Sequence, residues 1–265
     1  MNLGLAGKAC VVIGASRGIG LATARMLCAE DAAVLLVARG EEALQSAAGQ
    51  LTAAGGRVEC LALDFTAPDA GERVADECER RFGSFDVLVN NAGTSSVTPL
   101  EELTDEDWEL QWGLSVLGPM RLMRAAAPRM AARGFGRIVN VTSSSGKRPS
   151  KTNMAYSVGK AAQLSLSRAF ADLYVDQGVL VNAVAPGPVE TGLWMDEGGL
   201  ADQLAKHRGQ SREETLKTQR SGVPIGRYAT EDEIAAAVVF LCSERASYVA
   251  GAAWSVDGGT VQVII

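Results

Sequence analysis

A tyrosine and a lysine four residues apart, with a serine upstream, are the residues of this sequence best suited to chemistry. Tyr156 and Lys160 stand in the segment AYSVGK, and Ser143 ends the apolar run RIVNVTS. Residues four apart share one face of a helix, so the phenol and the ammonium can point into the same space. A fixed positive charge lowers the pKa of a tyrosine, which makes Tyr156 a candidate general acid or base. The sequence therefore predicts a proton-transfer site.

A glycine-rich turn near the N-terminus predicts a site for a phosphate-bearing ligand. The apolar segment ACVVI leads into the pattern G-x-x-x-G-x-G at Gly14, Gly18 and Gly20, and a helical pattern follows. Glycine lets the backbone approach a pyrophosphate, and the helix N-terminus supplies free N–H groups and the positive end of its dipole. The spacing is not G-x-G-x-x-G, so an ordinary tight turn between strand and helix is the alternative.

The end of the second apolar run indicates which dinucleotide would bind. This run, 32–38, is followed by Arg39, about twenty residues beyond the glycine turn. A carboxylate there would accept hydrogen bonds from a free ribose 2′-hydroxyl, whereas arginine suits a 2′-phosphate. Arg17, inside the turn, adds a second positive charge, so we predict NADP(H) over NAD(H). Glu41 and Glu42 are the counter-argument, although acidic residues are also favoured in the first turn of a helix.

Apolar runs alternate with helical patterns along the whole chain. This alternation predicts one α/β domain over 1–265, with a parallel sheet covered by helices on both faces and ligands at the carboxyl ends of its strands. We also expect Gly118-Pro119 to kink the helical stretch around them. Seven strands are predicted, near 9–13, 33–38, 57–63, 85–90, 136–142, 178–185 and 252–257.

Taken together, the ordered motifs resemble those of the short-chain dehydrogenase/reductases, and the chain is similar to 3-oxoacyl-(acyl-carrier-protein) reductases and related ketoreductases. The resemblance covers essentially the whole chain and implies a single doubly wound Rossmann-type domain. It rests on Gly14, Gly18 and Gly20, Asp64, the run Asn90-Asn91-Ala92-Gly93, Ser143, Tyr156 and Lys160, Pro186-Gly187 with Thr191, and Val256-Asp257-Gly258-Gly259.

The resemblance also implies a role for each matching residue. Tyr156 would be the acid in reduction and the base in oxidation, Lys160 would lower its pKa and hold the nicotinamide ribose, and Ser143 would orient the substrate oxygen. The cofactor supplies the hydride, so the chain supplies positioning and a proton. The implied cofactor site comprises Gly14, Ser16, Arg17, Gly18, Ile19, Gly20, Arg39, Asp64, Phe65, Asn91, Ala92, Gly93, Tyr156, Lys160, Pro186, Gly187, Val189 and Thr191.

One position departs from the family pattern. Where relatives carry an asparagine that anchors a proton-relay water, this chain has Ser115. A hydroxyl is shorter than a carboxamide and has one donor where the amide has two, so the water would shift or a second water would intervene. We expect the relay to run through Ser115.

The segment 190–227 resembles the family's substrate lid. A lid would close an apolar pocket and expel water, and we expect Ser95, Ser145, Met154 and Trp194 to line it. The alternative for Trp194 is that it packs the lid onto the core. The leading interpretation is reversible NADP(H)-dependent reduction of a ketone or 3-oxoacyl carbonyl to a secondary alcohol. A dinucleotide-binding protein with little turnover, an NAD-dependent alcohol dehydrogenase and a non-redox lyase or epimerase remain alternatives.

Composition limits the partners. A net charge of −6 over 265 residues argues against nucleic-acid binding. We expect a cytoplasmic protein, because the sequence has neither a signal peptide nor an apolar run of about 18 residues. Five widely spaced cysteines suit reduced thiols, and no cluster indicates a metal. The resemblance implies a homotetramer, in which the apolar tail 261–265 would be buried.

Overall fold

Seven parallel strands form one sheet in the order β3-β2-β1-β4-β5-β6-β7. The structure is a computed structural model that describes residues 2–262. The order reverses between β1 and β4, which opens a crevice at the carboxyl ends of these strands. The strands are β1 (Ala9–Ile13), β2 (Ala33–Ala38), β3 (Arg57–Ala62), β4 (Val87–Asn90), β5 (Gly136–Val141), β6 (Val179–Pro186) and β7 (Ala253–Val256).

Helices cover both faces of the sheet. They are α1 (Gly18–Ala29), α2 (Glu41–Ala53), α3 (Ala70–Phe82), α4 (Asp105–Trp112), α5 (Gly118–Ala132), α6 (Ser144–Lys147), α7 (Met154–Tyr174), α8 (Gly192–Met195), α9 (Leu200–Arg208), α10 (Arg212–Ser221) and α11 (Glu231–Cys242). One core lies between the sheet and α1, α2 and α11, and the other lies under α3, α5 and α7. The predicted fold class is therefore confirmed.

The inner strands are apolar along their whole length because each contributes to both cores. In β1, Cys10 and Val12 face one core, and Val11 and Ile13 face the other. A parallel strand that is covered on both faces has no solvent-exposed side, so its sequence is apolar throughout and does not alternate. The apolar runs in the sequence therefore located the strands to within two residues.

A π turn over Gly113–Leu117 joins α4 to α5 directly before Gly118-Pro119, the pair at which the sequence predicts a kink. The Gly118 N–H donates to the Gly113 carbonyl, and Pro119 has no N–H with which to continue an α-helical pattern. This turn places the buried Ser115 against α7, where a Cβ built on Gly159 would lie 3.2 Å from the Ser115 hydroxyl oxygen.

Beyond β6 the chain leaves the sheet and forms α8, α9 and α10 before it returns at α11. These three helices lie within the predicted lid segment 190–227. Across residues 2–262, the structure contains no helix whose length and apolar character would let it cross a membrane. The predicted apolar tail continues past residue 262, so its last three residues lie outside the described part of the chain.

Candidate active site

The carboxyl ends of the strands open into one cavity of about 1000 Å³. It runs from the glycine turn after β1, past the ends of β4 and β5, to the start of the lid segment. Most of the predicted site residues line it: Gly14, Ser16, Arg17, Gly18, Ile19, Arg39, Phe65, Asn91, Ala92, Gly93, Ser95, Ser143, Ser145, Tyr156, Lys160, Pro186, Gly187, Val189, Thr191 and Trp194. Four do not line it, namely Gly20, Asp64, Ser115 and Met154.

The glycine turn has a backbone that only glycine fits. Gly14 and Gly18 have φ values of +77° and +64°, in the left-handed region. Gly20 does not line the cavity, but packing requires a glycine at this position because a Cβ there would lie 2.2 Å from the Gly14 carbonyl oxygen. The Asn91 amide donates to that same oxygen at 3.1 Å and ties the turn to the end of β4. The start of α1 is therefore open to the cavity and close enough for backbone contact with a phosphate.

The charges around the second strand favour a phosphorylated ribose. Arg39, directly after β2, lines the cavity, whereas Glu41 and Glu42 begin α2 and do not. Arg17 lines it as well and forms an exposed ion pair of 3.4 Å with Asp196 in the lid segment. The Arg39 guanidinium and the open turn together form a cradle that fits a dinucleotide with a 2′-phosphate.

Asp64 directly precedes the cavity-lining Phe65 but does not itself line the cavity. Its carboxylate accepts hydrogen bonds from the Thr66 N–H at 2.9 Å and the Thr66 hydroxyl at 2.7 Å. The Thr66 hydroxyl, and then its N–H, hold the pKa of Asp64 below the usual value. The contact of Asp64 and Phe65 with adenine that the resemblance implies stays a prediction, and of the two only Phe65 lines the cavity.

Tyr156 and Ser143 both line the cavity and lie within hydrogen-bonding distance of each other. Ser143 is the N-cap of α6, and its hydroxyl accepts from the Ser145 N–H at 3.0 Å. Burial raises the pKa of Tyr156, and a hydrogen bond with Ser143 opposes that rise. This differs from the depression expected from Lys160. The reason is geometric, because the lysine ammonium is held elsewhere.

Lys160 is almost completely buried, with 3% of its surface exposed. Its ammonium donates to the Val141 carbonyl oxygen and to the Gln163 carboxamide oxygen, both at 2.9 Å. Burial lowers the pKa of Lys160 to about 8. An amine with that pKa can both gain and lose a proton near neutral pH.

The substrate end of the cavity combines a polar wall with an apolar one. Ser95, Ser145 and Asn153 form part of the polar wall, and Asn153 donates to the Ser95 hydroxyl at 3.3 Å. Trp194 lines the cavity and also packs on Tyr228, with ring centres 5.5 Å apart. Leu193, Leu200 and Leu204 continue the apolar wall.

The lining of the cavity at the start of α7 differs by one residue from the expected one. Met154 is the first residue of α7 and is absent from the lining, whereas Asn153, the N-cap, takes part in it. Asn153 stands three residues before Tyr156, and residues three apart share a helix face. That spacing could have identified Asn153. No comparable pattern marks Arg208 and Gln219, which reach the cavity from α9 and α10.

Similarity to known proteins extends over the whole chain. Residues 14–261 match the family described as enoyl-(acyl carrier protein) reductase. Galactitol 2-dehydrogenase of Agrobacterium fabrum is 34% identical and the alignment covers 95% of this chain and 96% of that one. The 3-oxoacyl-(acyl-carrier-protein) reductase of Thermotoga maritima is 32% identical, with 97% and 99% covered. The L-sorbose reductase of Gluconobacter frateurii, solved with NADPH and L-sorbose, is 37% identical with a TM-score of 0.92 and complete coverage of both chains.

Proposed function

Because the chain belongs to the short-chain dehydrogenase/reductase family, we propose that it is an NADP(H)-dependent oxidoreductase that reduces a ketone to a secondary alcohol, reversibly. The observation that carries this proposal is a single cavity that joins the glycine turn and Arg39 to Ser143, Tyr156 and Lys160. The L-sorbose reductase similar to it was solved with NADPH, which agrees with the basic residues at the ribose end.

Different residues of the cavity would hold different parts of the cofactor. The open N-terminus of α1 and Gly14 would hold the pyrophosphate, Arg39 and Arg17 the 2′-phosphate, and Phe65 the adenine. Asn91 to Gly93 would border the ribose next to Lys160, and Pro186 to Thr191 would border the nicotinamide. When bound, the nicotinamide supplies or accepts the hydride.

Proton transfer is the part that the chain performs itself. The Ser143 hydroxyl would hold the substrate carbonyl oxygen beside the Tyr156 phenol, which donates its proton to that oxygen during reduction and takes it back during oxidation. The raised pKa of Tyr156 keeps the phenol protonated at neutral pH, the form that reduction uses. Ser115, packed against Gly159, would anchor the water that returns a proton to this region.

We propose that the substrate is a small polyhydroxylated ketone. Ser95, Ser145 and Asn153 offer hydroxyl and amide groups near the reacting oxygen, and a hydroxylated carbon chain would satisfy them. One similar protein is named for L-sorbose, which is a polyhydroxylated ketone, and another for galactitol, a polyol whose oxidation at position 2 gives such a ketone. A 3-oxoacyl thioester is the second candidate, because the apolar wall of Leu193, Trp194 and Leu204 would suit an acyl chain.

We further propose one domain over 1–265, with a substrate lid at 190–227, in a cytoplasmic homotetramer. The lid assignment is supported by the cavity-lining residues of α8 and α9. Exposed apolar side chains on α4 and α7, at Leu110, Trp112 and Val158, support subunit contacts there. The five cysteines, all free thiols in this structure, suit a reducing compartment.

The test is cofactor consumption with NADPH and NADH in parallel. The ketone panel contains ketohexoses, small diketones, bulky cyclic ketones and 3-oxoacyl thioesters, and each is repeated with Tyr156→Phe. We expect NADPH-preferring turnover on ketohexoses that falls by about 10²-fold or more in Tyr156→Phe, while NADPH binding is retained. Turnover of thioesters alone would replace the polyhydroxylated substrate, and turnover unchanged by the substitution would remove Tyr156 from its role.

A further inference from the structure

The amide side chain of Gln163, which is not among the residues that line the cavity, contacts the buried lysine. Gln163 lies one turn beyond Lys160 on α7 and is only 1% exposed. Its carboxamide oxygen accepts from the Lys160 ammonium at 2.9 Å, the same distance as the Val141 carbonyl oxygen of β5. These two acceptors hold the ammonium from within the protein.

A count of donors shows what this arrangement leaves available. An ammonium has three N–H donors, and two of them are used by Val141 and Gln163. The open side of the ammonium faces Gly93, because a Cβ built there would lie 3.6 Å from Lys160 Nζ with nothing nearer than the lysine. Gly93 and Lys160 both line the cavity. The third donor is therefore the one that a ligand hydroxyl can reach.

The surroundings of Lys160 offer dipoles rather than an opposite charge. Tyr156, one turn back on α7, is the titratable side chain beside it, and β5 presents the Val141 carbonyl. The turn after β4 presents Gly93, α6 packs against the Lys160 backbone through Gly146, and Lys147 of α6 instead bonds to the Ala253 carbonyl. None of these described neighbours is a carboxylate. A buried ammonium without a counter-ion depends on its hydrogen-bond acceptors.

We propose that Gln163 is a positioning residue for Lys160: with the Val141 carbonyl it stabilises the ammonium and directs the third N–H into the cavity. This rests on the proposed function only for its consequence, namely that the donor meets the ribose of a bound dinucleotide. The contact itself belongs to the chain without ligand and can be tested there.

The test is the titration of Lys160 by NMR in the ligand-free protein with lysine labelled at the ε carbon. The chain has six lysines, so the spectrum is simple, and Lys160→Arg identifies the signal. Gln163→Leu removes the acceptor and should lower the pKa of Lys160 by on the order of one unit, whereas Gln163→Glu supplies a carboxylate and should raise it. Gln111→Leu is the matched control. Gln111 is also buried, and within residues 2–262 its carboxamide oxygen has no hydrogen-bond partner.

Opposite shifts in the two Gln163 variants, with none in Gln111→Leu, would support the proposal. An unchanged Lys160 titration in both Gln163 variants would overturn it, whatever their thermal stability. If Gln163→Glu fails to fold, Gln163→Met provides a second removal of the acceptor and should match Gln163→Leu. The ketone panel, measured separately on the parent, decides the proposed function, so the two can fail independently. Where turnover exists, its decline at high pH should move to lower pH in Gln163→Leu.

Discussion

The ammonium of Lys160 lies 5.7 Å from the centre of the Tyr156 ring, although the two residues stand one helical turn apart. The phenol and the ammonium are neighbours without a direct hydrogen bond to each other, since the ammonium bonds to Val141 and Gln163. In the chain without ligand, each group is therefore governed mainly by its own burial, which raises the pKa of Tyr156 and lowers that of Lys160.

The first prediction concerns cofactor affinity and pH. The pKa of Lys160 is lowered to about 8, so the ammonium loses its proton as pH rises through that value. A neutral amine is a weaker donor to a ribose hydroxyl than an ammonium. The dissociation constant of NADPH, measured by fluorescence titration, should therefore increase as pH rises through about 8.

Lys160→Met should remove this dependence and bind NADPH weakly at every pH. Lys217→Met, an exposed lysine of α10, should retain the parent profile. A parent profile that stays flat between about pH 7 and pH 9, roughly one pH unit on either side of the Lys160 pKa of about 8, would contradict the role given to the Lys160 charge.

The second prediction concerns cofactor choice. Arg39 lines the cavity without a competing carboxylate among its lining residues, whereas Arg17 is engaged with Asp196. Arg39→Asp should therefore reduce kcat/KM with NADPH by about 10- to 100-fold and reverse the preference toward NADH. Arg25→Asp is the control, because Arg25 pairs with Asp232 and does not line the cavity. Equal losses with both cofactors in Arg39→Asp would point to damage of the turn instead.

The third prediction contrasts two glycines in helices. A Cβ at Gly20 would collide with the Gly14 carbonyl oxygen, so Gly20→Ala should lower Tm and abolish NADPH binding. Gly49, in the exposed part of α2, has nothing within 4 Å of such a Cβ. Gly49→Ala should raise the free energy of unfolding by about 0.5–1 kcal/mol and leave binding unchanged. Denaturant titration measures the stability of each variant, and NADPH fluorescence measures its cofactor binding. Tight NADPH binding by Gly20→Ala would show that the turn can rearrange.

The sheet and the glycine turn were predictable because they depend on local pattern. Apolar runs mark strands buried on both faces, and glycines mark the positive φ values at Gly14 and Gly18. The carboxyl ends of parallel strands then bring Gly14, Gly93 and Ser143 to one edge without any further information.

The parts that the sequence missed depend on how elements pack. The bond from the Lys160 ammonium to the Val141 carbonyl follows from the approach of α7 to β5 and could not be read from the spacing of Tyr156 and Lys160. A π turn directly precedes Gly118-Pro119, and in it the Gly118 N–H donates to the Gly113 carbonyl. Asp64 is absent from the cavity lining, and its carboxylate accepts hydrogen bonds from the Thr66 N–H and hydroxyl. In each case a polar group bonds to one of several possible partners, and the spacing of residues in the sequence does not determine which one.

The fourth prediction tests the proton relay. Ser115 is buried in the π turn against Gly159, which has no side chain to fill the space. If a water bound by Ser115 serves the relay, Ser115→Asn should change turnover by less than about tenfold, because the amide can bind the same water. Ser115→Ala should reduce turnover by more than Ser115→Asn does. A gain of about a hundredfold in Ser115→Asn would show instead that the native relay is badly impaired.

The fifth prediction concerns the proposed lid. Gln203 of α9 accepts from the Val97 N–H at 2.9 Å and donates to the Gly198 carbonyl at 2.8 Å, so it fastens the lid segment to a loop that lines the cavity. Gln203→Leu removes both bonds with little change in size. The lid should then close less often over the ketone, and KM for the ketone should rise by roughly tenfold while the NADPH dissociation constant stays within about twofold.

The exposed Gln210, in the same segment, provides the control, and Gln210→Leu should leave both constants unchanged. Steady-state kinetics at saturating NADPH separates the two effects, because a lid that closes only over the substrate end alters KM for the ketone before it alters cofactor binding. A parallel loss of NADPH affinity in Gln203→Leu would mean that the 94–98 loop supports the cofactor rather than the lid. The lid boundary would then have to exclude α9.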